Sequence, residues 1–381
     1  MSAPVSAPSS VQAAAAADHK TQDQRFMALA LNLGRRGLGR TWPNPAVGAV
    51  IDKDGVIVGR GWTQPGGRPH AEVEALRRAG AAARGATLYV TLEPCSHHGK
   101  SPPCADAVIA AGISRVVSAL EDPNPEVAGS GHARLRAAGI AVEVGIGAAA
   151  ARRDHVGHIR RMRDGRPHVM LKLAISADGK AGAAGRKPIA ITGEVVRDRV
   201  HLLRAKSDAI MVGIGTALAD DPMLSCRLPG MEKDSPVRIV ADSMLRLPVH
   251  SRLAGSAHDT PVWVVAGIEA PQAAEFVLLA QGVEVLRSPQ STDPLDLKDA
   301  LEFLAAKGIT RLMVEGGPTL AAALIAADLV DEAYFFHSVA IVGADGIDAL
   351  DGPATAGLAK RLKRVISEPV GPDRLDLYER V

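Results

Sequence analysis

The chain alternates strand-like and helix-like segments in two separate series, and this alternation limits the fold more than any other feature of the sequence. The first series ends near residue 144 and the second begins at residue 168. Alternation of this kind is typical of α/β domains with a largely parallel sheet. A chain of 381 residues is long enough for two such domains, at about 100–200 residues each. We therefore predict a two-domain α/β protein.

Hydrophobic periodicity and turn residues predict the individual elements. In the first series they predict a hairpin over residues 46–58, helices over 71–79 and 105–111, strands over 87–91 and 115–119, and a last helix and strand within 132–144. In the second series they predict strands over 169–176, 207–212, 238–242, 262–266, 311–315 and 332–336, with helices over 195–205, 297–307 and 319–326.

The composition changes at both ends of the first series. Residues 1–21 are rich in Ala, Ser and Pro, which predicts a disordered tail. Residues 148–166 are rich in Ala, Arg and His without strong strand character, which is typical of a linker or a connecting helix. These changes predict a first domain over residues 22–147 and a second over residues 167–381.

Charge and composition argue against several classes of function. The 44 basic and 42 acidic side chains give a net charge of +2, and only 3% of residues are aromatic, so neither nucleic acid nor a membrane surface is an expected partner. No apolar run approaches the ~18 residues of a membrane span. Three cysteines are an odd count that fits a reducing compartment. We predict a cytoplasmic enzyme for a small-molecule substrate, with the oligomeric state open between a monomer and a homo-oligomer.

One histidine and two cysteines have the local surroundings of a catalytic zinc site. His70 precedes a helical segment, and Cys104 follows two prolines and should itself open a helix, where the dipole lowers the pKa of a thiol. With Cys95 they make three protein ligands, which leaves a fourth position of a zinc ion for water. Glu72, two residues after His70, is placed to move protons as a general acid and base.

Other interpretations of these residues stay open at this point. A His-x-Glu pair often only begins a helix, and cysteines in an α/β domain are commonly small packing residues. His97 and His98 are alternative ligands, but either would fill the open position, so we interpret them as residues of a substrate loop. The pattern is similar to the zinc deaminase signature, except that eight residues separate Cys95 from Cys104 instead of two. A zinc-stabilised binding module without catalysis is the competing hypothesis.

The motifs around these residues resemble those of the RibD family of riboflavin biosynthesis, which fuses a pyrimidine deaminase to a reductase. They are HAEVEAL and EPCSHHGKSPPC, preceded by TWPNPAVGAVI and followed by EDPNPEVAGSG. The resemblance implies a cytidine-deaminase-like three-layer domain in which His70, Cys95 and Cys104 bind zinc and Glu72 shuttles protons. It also implies that Asn44 lies near the substrate, although an Asn between two prolines is equally typical of a turn.

Two glycine-rich turns in the second series predict a pocket for a phosphorylated ligand. One is GIGT, which follows the strand-like DAIMV, and the other is EGGPT, which follows RLMV and opens a helix. Glycines let the backbone approach a ligand, and free amides at a helix start suit a phosphate group. Neither turn is the GxGxxG of dinucleotide-binding folds, and such turns also simply end strands. Two of them in one domain favour a cofactor pocket.

The second series resembles the reductase half of the same family, which has a dihydrofolate-reductase-like fold and uses NADPH. The resemblance rests on KLAISADGK, LLRAKSDAIMVGIGTALADDPML, RIVADS and VEGGPTL. It implies an NADPH site lined by Ala174, Thr216, Asp220, Ser243, Gly317, Pro318, Thr319, Leu320, Ala321, Ala322 and Ala323. It implies substrate contacts from Arg204, Leu224, Arg227 and Glu315. Lys172 is a further candidate, because a lysine inside an apolar strand usually has a partner.

One stretch departs from the family pattern of Ser-x-Trp before Ile-Thr. Pro188 and Ala190 stand at those positions, which removes a serine contact and an aromatic contact, and Arg186 and Lys187 nearby could compensate through charge. A chain whose reductase half has lost activity is therefore one alternative. Another is a deaminase of a different nucleobase or of tRNA with an unrelated second domain.

The resemblance implies two successive reactions. The first is zinc-dependent hydrolytic deamination of 2,5-diamino-6-(5-phosphoribosylamino)pyrimidin-4(3H)-one. The second is NADPH-dependent reduction of the ribosyl group to give 5-amino-6-(5-phosphoribitylamino)uracil. We expect the two domains to carry these reactions in this order.

Overall fold

The computed structural model describes residues 10–97, 102–186, 189–289 and 293–380, with only the backbone described for residues 10–19 and 186. The described chain falls into two compact units that divide between Arg163 and Asp164. A five-stranded sheet forms the first unit, and a nine-stranded sheet with a separate two-stranded sheet forms the second. Within the described residues, no helix combines the length and the apolar character that a membrane crossing needs. The prediction of two α/β domains is confirmed.

The first unit has its sheet in the order β2-β1-β3-β4-β5. Its strands are β1 (Gly48–Lys53), β2 (Val56–Trp62), β3 (Thr87–Val90), β4 (Arg115–Ser118) and β5 (Ala141–Val144). Its helices are α1 (Ser10–Gly34), α2 (Ala71–Ala79), α3 (Cys104–Ala110), α4 (Ser130–Ala137), α5 (Ala148–Asp154) and α6 (Val156–Asp164). Strand β1 runs antiparallel to β2 and β3, whereas β3, β4 and β5 are parallel.

Glycines on opposite faces of the β1–β2 hairpin allow helices to lie against both faces of the sheet. A Cβ added to Gly48 would lie 1.8 Å from the Ala30 carbonyl oxygen of α1, and one added to Gly61 would lie 2.3 Å from the Ala71 carbonyl oxygen of α2. Gly61 pairs across the hairpin with Ala49, the neighbour of Gly48, so the two glycines face opposite ways. The three-layer prediction is confirmed.

The first 21 residues differ from the predicted disordered tail over the part that the structure describes. Residues 10–21 belong to α1, because the run of alanines between residues 13 and 17 has the highest helix propensity of any residue type. Further along, Phe26 and Met27 anchor α1 in the core of the unit. Residues 1–9 lie outside the described chain. The predicted linker contains α5 and α6, and the domain bounds otherwise stay a prediction.

The second unit has its sheet in the order β11-β10-β9-β8-β12-β6-β13-β16-β15. Its strands are β6 (His168–Ile175), β7 (Lys180–Gly182), β8 (Ala209–Gly213), β9 (Val237–Ala241), β10 (Val262–Gly267), β11 (Glu284–Ser288), β12 (Arg311–Glu315), β13 (Glu332–His337), β14 (Ile347–Asp348), β15 (Leu362–Val370) and β16 (Asp373–Arg380). Its helices are α7 (Glu194–Ala205), α8 (Ile214–Asp220), α9 (Arg252–Gly255), α10 (Gln272–Ala280), α11 (Leu297–Ala306), α12 (Pro318–Ala326) and α13 (Gly352–Arg361).

The strand order of the second unit brings distant segments to one edge. Strand β12 lies between β6 and β8 and is parallel to both. Their carboxyl ends therefore meet at the same edge, where α/β folds place their ligands. Strands β7 and β14 pair with each other outside the main sheet. The sheet is parallel up to β13 and ends in the antiparallel strands β16 and β15.

Candidate metal centre and cofactor cavity

His70, Cys95 and Cys104 converge where two helices of the first unit begin. His70 is the residue before α2, and Cys104 is the first residue of α3, as predicted. His70 Nδ1 lies 3.3 Å from Cys104 Sγ and 3.7 Å from Cys95 Sγ. The donor atoms of the three residues all lie within 4.8 Å of one another. One imidazole nitrogen and two sulfurs at this separation fit a zinc ion, with Nδ1 as the nitrogen that faces it.

The two thiols have opposite pKa shifts. The backbone N–H of Cys104, at the start of α3, donates to Cys95 Sγ at 3.3 Å. Hydrogen bonds from Cys104 and from His70 lower the pKa of the Cys95 thiol to about 4, although burial opposes this. The hydrogen bond to Cys95, together with burial, raises the pKa of the Cys104 thiol. The sequence predicted a lowered pKa for Cys104, but the amide at the helix start points at Cys95 instead.

Glu72 is a buried carboxyl group in the first turn of α2, beside these donors. Glu72 is 3% exposed. Burial raises the pKa of its carboxyl group, and His70 lowers that pKa to a smaller degree. A raised pKa moves a carboxyl group toward the range in which a general acid and base works.

Glu93 is a site residue that the sequence interpretation missed. Its buried carboxylate accepts hydrogen bonds from the backbone N–H groups of Asp122, Gly129 and His132, each at 3.0 Å. Cys95 is two residues after Glu93, so these hydrogen bonds hold the segment 122–132 beside Cys95. The available signal was a charged residue three residues after the end of the buried strand β3. His132 and Glu121 also place donor atoms near Glu93, but three N–H groups already occupy its carboxylate.

Asn44 connects two turns of the first unit. Its Nδ2 donates to the Gly67 carbonyl at 2.8 Å, and Thr41 Oγ1 donates to the Asn44 carbonyl at 3.0 Å. The first bond fixes the turn that leads into His70, so the turn role is present and the substrate contact stays a prediction. His97 is exposed and is not grouped with the three donors. His98 lies outside the described residues.

A cavity of about 460 Å³ opens at the carboxyl ends of β6, β8 and β12 in the second unit. Seven of the residues predicted for the NADPH site line it, namely Ala174, Thr216, Asp220, Gly317, Pro318, Thr319 and Leu320. The residues predicted for substrate contacts in this unit also line it, namely Lys172, Arg204, Leu224, Arg227 and Glu315. The structure therefore brings together residues that are up to 148 positions apart in the numbering, from 172 to 320.

The two predicted glycine-rich turns meet at Thr216. Gly316 has φ 117° and Gly317 has φ 44°. A Cβ on Gly316 would lie 3.1 Å from Thr216 Cγ2, and one on Gly317 would lie 3.0 Å from Thr216 Oγ1. Gly317 precedes α12 and Pro318 is its first residue. Amides at a helix start have no partner within the helix, so this bare backbone fits the phosphate groups of NADPH.

A buried ion cluster lies across the cavity. Arg204 donates from Nε and Nη2 to the two carboxylate oxygens of Glu315, each at 2.9 Å. Lys172 Nζ donates to Glu315 Oε1 at 3.4 Å, so Lys172 has the partner that the sequence predicted. Burial would raise the pKa of Glu315, but Arg204 and Lys172 outweigh it and lower that pKa to about 2. The carboxylate is a permanent anion between two cations.

The structure leaves four predicted cofactor residues outside the cavity lining. Ser243 Oγ donates to Asp293 Oδ1 at 2.7 Å. Ala321 is buried in the core, and Ala322 and Ala323 follow it along α12, because only the first turn of that helix faces the cavity. The resemblance alone supports these four. Ala190 is exposed and lines the cavity, whereas Lys187 and Pro188 lie outside the described residues, as does the side chain of residue 186.

Further lining residues were missed by the sequence interpretation. Ala181, Gly182 and Ile347 come from the small β7–β14 sheet. Arg197 and His201 come from α7, at four- and three-residue spacings that place them on one helix face with Arg204. That spacing was a signal in the sequence, but nothing in the sequence showed which face of α7 the cavity would use.

Family models match both units. A model of the RibD C-terminal domain matches residues 167–375, and a model of the cytidine and deoxycytidylate deaminase zinc-binding region matches residues 20–120. The riboflavin biosynthesis protein RibD of Escherichia coli is 43% identical over 366 residues, which are 92% of this chain and 98% of that protein. The chain belongs to the RibD family.

Solved structures of RibD proteins share this architecture. The structure of Acinetobacter baumannii RibD has a TM-score of 0.84 at 35% identity, covering 95% of this chain and 99% of that one. A diaminohydroxyphosphoribosylaminopyrimidine deaminase/5-amino-6-(5-phosphoribosylamino)uracil reductase from Thermotoga maritima has a TM-score of 0.81 at 34% identity, covering 95% and 100%. As a RibD protein, the chain is a bifunctional deaminase and reductase of riboflavin biosynthesis that uses zinc and NADPH. The non-catalytic zinc module and the unrelated second domain are excluded.

Proposed function

We propose that the first unit deaminates 2,5-diamino-6-(5-phosphoribosylamino)pyrimidin-4(3H)-one and that the second reduces the ribosyl group of the product. The Thermotoga maritima protein, named for this pair of activities, is 34% identical over 95% of this chain. The observation that carries the proposal is the presence in one chain of a three-donor metal site beside buried Glu72 and of a cation-lined cavity of about 460 Å³.

In the deaminase unit, His70 Nδ1, Cys95 Sγ and Cys104 Sγ would hold the zinc ion. When bound, zinc supplies the Lewis acidity that hydrolysis at neutral pH requires. Glu72, with its raised pKa, takes a proton from the attacking water and gives a proton to the leaving amine. The carbon–nitrogen bond breaks, a carbon–oxygen bond forms, and water is consumed as ammonia leaves. Asn44 would orient the pyrimidine.

In the reductase unit, NADPH supplies the hydride when bound. The backbone around Gly316 and Gly317 and the start of α12 would hold its phosphate groups. Glu315, fixed by Arg204 and Lys172, would orient the opened ribosyl group so that its C1′ receives the hydride. The carbon–nitrogen or carbon–oxygen double bond at C1′ is reduced, and a proton completes the product.

We also propose a cellular location and a class of substrate for the enzyme. The three cysteines are free, and two of them would act as thiolate ligands. Because thiolates persist in a reducing compartment, we place the enzyme in the cytoplasm. A formal charge of +2 supports a small-molecule substrate over nucleic acid.

Product analysis by mass tests both reactions. The diaminopyrimidine phosphate is incubated with the enzyme, with and without NADPH. Replacement of the amino group by oxygen raises the mass by one unit, and reduction adds two more. Deamination without any NADPH-dependent gain in mass would favour a chain that has lost its reductase activity, the alternative raised by Pro188 and Ala190. An unchanged mass in both incubations would overturn the proposal.

A further inference from the structure

The reductase cavity carries more positive charge than its predicted residues account for. Its charged lining residues are four basic side chains (Lys172, Arg197, Arg204 and Arg227) against two acidic ones (Asp220 and Glu315). The excess is of the size that a phosphate monoester dianion balances.

Arg204 is already engaged by protein groups. Besides its two bonds to Glu315, its Nη1 donates to the Ser225 carbonyl at 3.0 Å. The residue is only 8% exposed, and the carboxylate of Glu315 balances its charge. Arg204 is therefore suited to hold Glu315 and the segment at Ser225 in place.

Arg197 and Arg227 have the opposite character. Both are exposed residues on the cavity lining, and within the described chain no hydrogen bond or ion pair reaches either guanidinium group. Burial lowers the pKa of Arg227, and the charges of Arg204, Arg252 and Arg197 lower it further. Arg197 and Arg227 line the same cavity with like charges, and an anion between them would offset their repulsion.

Helix α7 fixes the positions of Arg197 and Arg227. The backbone N–H of Arg227 donates to Nδ1 of buried His201 at 3.3 Å, and the Arg204 bond to Ser225 holds the same segment. Arg197 lies on this face of α7, seven residues or about 10 Å before Arg204. The long side chains of Arg197 and Arg227 can therefore flank a ribosyl phosphate whose sugar lies at Glu315.

We propose that Arg197 binds the 5′-phosphate of the ribosyl substrate together with Arg227, and that Arg204 acts by positioning Glu315. This inference rests on the proposed function of the reductase unit. The substrate phosphate is favoured over the phosphates of NADPH because the turns suited to the cofactor follow β8 and β12 and meet at Thr216, whereas Arg197 shares a helix face with Arg204.

The test compares Arg197→Ala with Arg199→Ala in the full-length enzyme. Arg199 is on the same helix, exposed and paired with Glu368 at 3.1 Å, and it does not line the cavity. The reductase is assayed at saturating NADPH on the deaminated intermediate, with and without its 5′-phosphate. We expect Arg197→Ala to raise the KM for the phosphorylated substrate about 10–100-fold, because the variant loses a hydrogen bond to a charged group. The kcat, the KM for the dephosphorylated substrate and every parameter of Arg199→Ala should stay near wild type.

Other results would overturn the inference. One is an equal rise in KM for the phosphorylated and the dephosphorylated substrate. Another is a rise in the KM for NADPH without a rise in the KM for the substrate. The third is no change in any KM. Arg197→Lys should recover part of the affinity, because lysine keeps the charge but lacks the planar fork. An unchanged kcat of Arg197→Ala on the dephosphorylated substrate shows that the reductase unit is folded.

A direct binding measurement keeps the inference separate from the proposed function. If the wild-type enzyme reduces neither substrate, the proposed function fails. Calorimetric titration of ribose 5-phosphate then decides the role of Arg197. Weaker binding to Arg197→Ala than to Arg199→Ala supports a phosphate site, and equal binding refutes it.

Discussion

Glu72 and Glu315 are both buried carboxyl groups, but their neighbours shift their pKa values in opposite directions. Burial is the largest influence on Glu72 and raises its pKa. For Glu315 the same influence is outweighed by Arg204 and Lys172, so its pKa falls to about 2. The pKa of Glu72 is thus moved toward the range of a general acid and base, whereas Glu315 stays an anion. Environments that separate the pKa values of similar groups are how one protein assigns them different roles.

Replacing Glu72 by glutamine should remove the proton shuttle and leave the metal site intact. We expect ammonia release to fall about 10²–10⁴-fold, the usual contribution of a general acid and base. Zinc content, measured by atomic absorption, should stay at one ion per chain, because Glu72 is not among the three grouped donors. NADPH oxidation with the deaminated intermediate serves as the control. Full ammonia release by Glu72→Gln would refute its role.

Replacing Glu315 by glutamine should leave Arg204 and Lys172 without a counter-charge. Breaking a buried ion pair in this way costs about 3–5 kcal/mol, and we expect the reductase activity to be lost with it. The exposed pair of Arg199 with Glu368 provides the control, Glu368→Gln, which should cost about 0–1 kcal/mol. Chemical denaturation measures both, and equal losses would contradict the prediction.

The stabilisation by Glu315 also has a defined pH dependence. Its pKa is lowered from 4.5 to about 2 on folding, so its contribution is complete above pH 4.5 and is lost as the pH falls toward 2. The stability difference between wild type and Glu315→Gln should therefore be constant from pH 7 down to pH 5 and shrink below it. A difference that disappears between pH 7 and pH 5 would show that another group is responsible.

At the scale of elements, patterns with clear ends were predicted well. Helix α2 and strand β12 have their predicted bounds. The antiparallel strands β15 and β16 were missed, because β15 is exposed along most of its length and lacks an apolar alternation. Helix α10 was missed as well. Its apolar residues are largely exposed, with Phe276 at 75%, so they do not mark a core-facing side.

The candidate sites divide in the same way. The zinc donors could be predicted because His70 and Cys104 lie at helix starts that the local sequence marks, and Cys95 follows Pro94 in the same short motif as Cys104. Glu93 and His201 could not, because their partners come from distant segments that only the folded chain brings close, and Arg197 could not, because nothing in the sequence showed which face of α7 the cavity would use. Glu93 is paired with backbone amides up to 39 residues away, and His201 with an amide 26 residues away. Such contacts leave no periodic signal.

Gly61 illustrates how one element positions another. A Cβ at this position of β2 would lie 2.3 Å from the Ala71 carbonyl oxygen and 2.7 Å from the Ala75 nitrogen, so Gly61→Ala must displace α2. The displacement moves His70 and Glu72 at the start of that helix. We expect a loss of about 1–3 kcal/mol in stability, as for other overpacked sites, with reduced ammonia release.

Zinc retention provides a second measurement for Gly61→Ala. The variant should lose zinc to a chelator faster than wild type. Arg60→Ala is the matched control, because its side chain is exposed and the adjacent position in a strand faces the other way. If Gly61→Ala keeps wild-type activity and zinc, the sheet does not set the position of α2.

At the scale of the whole molecule, each candidate site belongs to one unit. The zinc donors lie between residues 70 and 104, and the cavity lining lies between residues 172 and 347, on either side of the division at residue 163. Each unit also has a sheet of its own. Ligands of one site should therefore stabilise their own unit and leave the other unchanged.

Thermal unfolding followed by calorimetry should show this as two transitions with separate ligand responses. A ligand at 100 times its dissociation constant stabilises the folded state by about 2.7 kcal/mol, which corresponds to a rise of about 5–10 °C for a unit of this size. NADP⁺ should raise one transition, and a zinc chelator should lower the other. Gly61→Ala identifies the deaminase transition, and Glu315→Gln identifies the reductase transition, because each variant lowers its own. A single transition that shifts with both ligands would mean that the two units unfold as one, and zinc in the first would then stabilise the NADPH cavity of the second.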